Sequence, residues 1–98
     1  MGATTFVTIE DGESPDTAFD KAVEKAKTLN GTAGYTGTIA EKTAFTVIGK
    51  PVENMEQAND RIDHLFETND HRIDDKWGPA GCIELPDNKY IFFGWASC

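Results

Sequence analysis

Apolar and polar residues alternate differently in successive parts of this chain, and each pattern predicts an element. Thr4–Glu10, TTFVTIE, is rich in β-branched residues and predicts a first strand, ended by Asp11-Gly12-Glu13-Ser14-Pro15. The period then becomes helical. Ala18, Phe19, Ala22, Val23, Ala26 and Leu29 fall on one face of a helix over Pro15–Asn30. Ser14 suits its N-cap, Pro15 its first turn, and Asp16 the positive end of its dipole. Asn30-Gly31 stops it, with Gly31 at a left-handed cap.

Two short β-prone runs follow the Gly-rich NGTAGYTGT, at Thr36–Ala40 and Thr43–Ile48. They predict a hairpin, or one strand with an irregular lead-in. Gly49 and Pro51 end this region. A second helix opens at Asn54, a good N-cap, with Gln57 placed for a near capping box. Its stripe is Met55, Ala58, Ile62, Leu65 and Phe66; Glu56, Asp60, Asp63, His64 and Glu67 lie off it. Two last strands, about Gly81–Leu85 and Lys89–Ala96, flank Leu85-Pro86-Asp87-Asn88, which fits a type I turn with Asn88 left-handed.

The last strand is apolar on both faces, with Tyr90 and Phe92 pointing one way and Ile91, Phe93 and Trp95 the other. A half-exposed strand would alternate with polar residues, so cover on both sides is expected. If both helices pack one face, the second face needs the Gly-rich segment, a ligand or another subunit. A homodimer through the C-terminal hairpin is therefore expected.

The fold class expected is α+β, a single domain over residues 1–98. It has a four- to five-stranded, mainly antiparallel sheet with two helices. The nearest simple template is a ferredoxin-like split βαβ with a C-terminal β-hairpin.

The densest chemistry lies in HRIDDKWGPAGCIEL, His71–Leu85. His71 could act as a general base oriented by Asp74 or Asp75, with Trp77 as a pocket wall. Asp70, His71, Asp74 and Asp75 could hold a divalent cation. The plainer reading is a corner. Asn69-Asp70 ends the helix, Ile73 and Trp77 anchor the loop, and Gly78-Pro79-Ala80-Gly81 turns into the strand. No H-E-x-x-H, paired C-x-x-C, EF-hand loop or G-x-S-x-G is present, so no catalytic residue, metal ligand or cofactor is assigned. The Gly-rich segment has a helix before it and no P-loop lysine, so it is read as a connection, not a phosphate cradle. The candidate binding residues are His71, Asp74, Asp75 and Trp77, with Tyr35 from the Gly-rich segment.

Charge narrows the partners. The net charge of −8 and the absence of a basic run argue against direct nucleic-acid binding. The opening MGATTFVTIEDGE has no signal-type core, and no run approaches the ~20 apolar residues of a membrane helix. A cytoplasmic protein is expected. Cys82 and Cys98 fall too far apart in the expected hairpin for a disulfide and are read as free thiols.

GYTGTIAEK (Gly34–Lys42), DDKWGPAG (Asp74–Gly81) and FFGWAS (Phe92–Ser97) resemble small uncharacterised proteins of bacteriophages and other mobile elements. That resemblance implies no catalytic residue. It implies an accessory protein acting by binding, for instance on a host defence component. The function expected is thus a small, acidic, non-enzymatic binding protein with a protein partner. The alternative is a small enzyme or ligand-binding domain using the His71–Trp77 loop.

Overall fold

The computed structural model describes residues 2–30 and 36–97. Four strands, β1 (Ala3–Asp11), β2 (Phe45–Val47), β3 (Ala80–Leu85) and β4 (Lys89–Ser97), form one sheet in the order β1-β4-β3-β2. Helix α1 (Pro15–Asn30) follows β1, and α2 (Met55–Glu67) joins β2 to β3. The fold is α+β with a mixed sheet. β4 pairs antiparallel with β1 and β3, whereas β2 pairs parallel with β3. The mainly antiparallel expectation therefore fails at β2. The helical crossover through α2 brings the chain back in the same direction, which a hairpin cannot do.

The helices lie on opposite faces of the sheet. Ala18, Phe19, Ala22 and Ala26 of α1 pack with Phe6, Cys82, Tyr90 and Phe92. Ala58, Ile62 and Leu65 of α2 pack with Ile83, Ile91 and Phe93. This departs from the expected template and supplies the two-sided cover that β4 requires. A ferredoxin-like split βαβ keeps both helices on one face, and this chain does not. The apolar side chains of β4 on both faces are also covered within the chain, and Phe92 and Phe93 each have 0% of their surface exposed. The hairpin thus offers neither of them to another subunit.

Local sequence explains most element ends. The Ser14 hydroxyl accepts the Thr17 N–H at 3.2 Å and caps α1. Asn54 Oδ1 accepts the Gln57 N–H, and Gln57 Oε1 accepts the Glu53 N–H, both at 2.9 Å. At the β3–β4 turn Asp87 joins Asn88 in the left-handed region, with φ of 63° and 57°. Short polar side chains tolerate that region best among non-glycine residues.

Two predicted features differ. Thr36–Ala40 does not form a strand. Ile39–Glu41 is a 3₁₀ turn capped by Thr38, whose side chain accepts the Ala40 N–H, and Glu41 accepts both the N–H and the hydroxyl of Thr36. These local bonds compete with the sheet ladder for the same backbone. Leu29, assigned to the α1 stripe, is 82% exposed. The cap at Gly31, the binding candidate Tyr35 and the thiol of Cys98 lie outside the described residues.

Candidate functional site

The candidate loop is the corner between α2 and β3, and its shape follows from a few side chains. Asn69 takes a left-handed φ of 52°, and the Asp70 N–H reaches back to the Leu65 carbonyl at 3.0 Å, closing the helix. Asp70 then accepts two bonds from the Arg72 guanidinium, each 2.9 Å, and a third from the Arg72 N–H at 3.0 Å. The guanidinium beside it holds the Asp70 carboxyl well below the usual carboxylate range. Ile73, 1% exposed, plugs into the α2-side core and ties the loop down.

Beyond Ile73 the chain makes a second turn. Asp75 Oδ1 accepts the Trp77 N–H at 2.8 Å, and the Asp75 carbonyl accepts the Gly78 N–H at 2.9 Å. Under this turn sits Lys42, which is buried. Its Nζ donates to the carbonyls of Asp75, Lys76 and Gly78 at 3.3, 3.2 and 2.8 Å. Burial pushes the Lys42 ammonium below its ordinary pKa, and the negative charge of Asp75 opposes the shift. The three carbonyls compensate the buried charge with dipoles. They also fix the loop backbone from below.

The turn directs Trp77 outward. Its side chain is 62% exposed, so Ile73 alone of the two expected anchors is buried. Lys76 Nζ stands 5.5 Å from the Trp77 ring centroid and 3.4 Å from the Gly2 carbonyl, which places the turn beside the start of β1. His71, Asp74 and Asp75 are exposed as well. The four candidate residues on this loop are thus all exposed.

Asp75 Oδ1 is engaged by the Trp77 backbone, and among the described residues no hydrogen bond joins Asp75 to His71. Among the described residues, no group of three or more His, Cys, Asp and Glu side chains is placed to hold a metal ion. A cavity of about 370 Å³ lies elsewhere, between α1 and β1, lined in part by Glu10, Lys25 and Ile39. Among the described residues, no helix is long and apolar enough to cross a membrane.

Two charged residues of structural weight were missed by sequence reasoning. Lys42 carried no signal, because its acceptors lie 33 to 36 residues away. Glu10 did carry one, since strand alternation puts it on the inner face with Phe6. It is 6% exposed and takes both carboxylate bonds from Lys25, at 2.8 and 2.9 Å.

No family model, curated protein or solved structure matches this chain.

Proposed function

We propose that this is a small, acidic, non-enzymatic binding protein whose contact with a protein partner is the His71–Trp77 loop. The observation that carries the reading is the exposed Trp77 ring on a turn pinned from below by Lys42. Exposing a tryptophan to water is unfavourable, and tryptophan is among the residues that dominate protein–protein contacts. A turn already fixed by hydrogen bonds loses little conformational freedom when it binds. His71, Asp74 and Asp75 are exposed on the same loop, and polar residues beside an aromatic are the usual composition of such a contact. The resemblance to small phage and mobile-element proteins adds a partner class, a component of a host defence system.

The test is capture of partners from host lysate by the immobilised protein over a range of salt concentrations. The reading expects a specific protein held at physiological salt. Recovery of none at any ionic strength would contradict it.

A further inference from the structure

The outer edge of β1 is a further exposed feature of the sheet. Among the described residues no strand pairs with it, since β1 ends the sheet. Sheet edges are ordinarily guarded by charges, prolines, bulges or short length. β1 has none of these over most of its run. Its nine residues pair with β4 without a bulge, from Ala3 opposite Ser97 to Asp11 opposite Lys89. Ala3–Ile9 contains no charge and no proline.

The register also settles which groups face outward. Gly12 N–H donates to the Asn88 carbonyl at 3.0 Å, and this pair continues the β1–β4 register. Hydrogen-bonded pairs alternate in an antiparallel ladder. Even-numbered residues of β1 therefore turn their N–H and C=O toward β4. Ala3, Thr5, Val7, Ile9 and Asp11 turn theirs away from the sheet. The side chains of these same residues lie on the α2 face, where they stay largely open; Val7 is 52% and Ile9 47% exposed, and Ile9 shares a groove with Met55 at the start of α2.

We propose that the chain forms a two-fold dimer by antiparallel pairing of β1 with β1 of a second copy, with Val7 opposite Val7 at the axis. In this register the five outward-facing residues of each strand meet those of the other, so about ten backbone hydrogen bonds form. Val7 packs on its equivalent, and Ile9 packs on Thr5 of the second copy. The charge of −8 per chain does not prevent it. Glu10 is held by Lys25, and Asp11 by Lys21 at 3.0 Å. The two Asp11 residues stand eight positions apart along the pair, about 26 Å, well past the ~8 Å screening length at physiological salt.

Size makes the dimer weak. A strand edge about 30 Å long and roughly 10 Å deep buries some 300 Å² per copy, well under the ~800 Å² per partner of a standard complex. Weak, concentration-dependent association follows, strengthened by added salt because the net charges repel. A second copy fits this edge better than a basic peptide does, since Ala3–Ile9 carries no charge to attract one and Asp11 at its end is already paired with Lys21. The Trp77 turn stands beside the start of this strand, but sedimentation of the pure chain reads the dimer with no other partner present, so the proposal stands or falls independently of the binding function.

Sedimentation of the full chain from about 1 μM to 1 mM tests it. The wild type should pass from monomer to dimer, and Val7→Lys should weaken the dimer at least ~10-fold while melting at the wild-type temperature. In a Cys98→Ser background, Val7→Cys should form a disulfide-linked dimer when treated with diamide, which takes up the two electrons and two protons, because the two Cα atoms at the axis stand about 5.5 Å apart. Thr8→Cys, on the other face and off the axis, should not. A wild-type monomer at 1 mM would overturn the proposal. So would a dimer untouched by Val7→Lys, or equal cross-linking through Thr8→Cys.

Discussion

Lys42 Nζ donates to the carbonyl of Gly78 at 2.8 Å from beneath a turn that Trp77 crowns on the solvent side. One buried cation thus holds the backbone of the exposed aromatic. Replacing it with methionine removes both the desolvation cost of the ammonium and its bonds to three carbonyls. The two effects oppose each other, so the net loss of stability should be no more than about 2 kcal/mol. The local effect should be larger. Lys42→Met should speed hydrogen exchange at the amides of Trp77 and Gly78 well beyond any change in the sheet.

Trp77 and Ile73 were expected to share the anchoring of the corner, and the structure separates them. Ile73→Ala should cost about 2–5 kcal/mol, the range for a truncated core aliphatic. Trp77→Ala should change stability by only about 0.5 kcal/mol, since its ring is largely in water. Urea unfolding of both variants checks the contrast.

Gly81 lies opposite Phe93 in the β3–β4 ladder, with the ring directly over it. A Cβ at Gly81 would stand 2.5 Å from a Phe93 ring carbon. Gly81→Ala should therefore destabilise by about 1–3 kcal/mol through overpacking. Adding Phe93→Leu should recover part of that loss. A double-mutant cycle showing strict additivity would mean the two side chains do not meet.

Cys82 is fully buried at the centre of the sheet. Burial, with the nearby charge of Glu84, pushes its thiol up to about 12 from an ordinary 9.0. In a Cys98→Ser background, thiol reagents at neutral pH should label the unfolded chain and spare the folded one. The native state also holds this proton where the unfolded state releases it. The thiol's contribution to stability is complete below about pH 9 and is lost as pH rises toward 12. Wild type should lose stability more steeply over that window than Cys82→Ala.

The two helices, the four strand regions and the two-sided cover of β4 were legible in the sequence, because each is set by periodicity and by local caps such as Ser14 and Asn54. The arrangement of the helices was not. Both have one apolar face, and nothing in that pattern says which side of the sheet it meets. The parallel pairing of β2 was hidden for a related reason. Phe45–Val47 is three residues long and takes its direction from a crossover, not from a turn. At the site, the loop and its exposed charges were readable. The outward Trp77 was not, since it depends on an Asp75 turn supported by a lysine far away in sequence.

The central claim is that Trp77 is a contact residue and not a structural one. It is tested most directly by comparing wild type and Trp77→Ala in one experiment that reads both melting temperature and retained partner from host lysate. The account predicts matching melting temperatures and at least a ~10-fold loss of one protein species, about 1.4 kcal/mol of binding. A Trp77→Ala protein that retains every species the wild type retains, or one that unfolds, would contradict it.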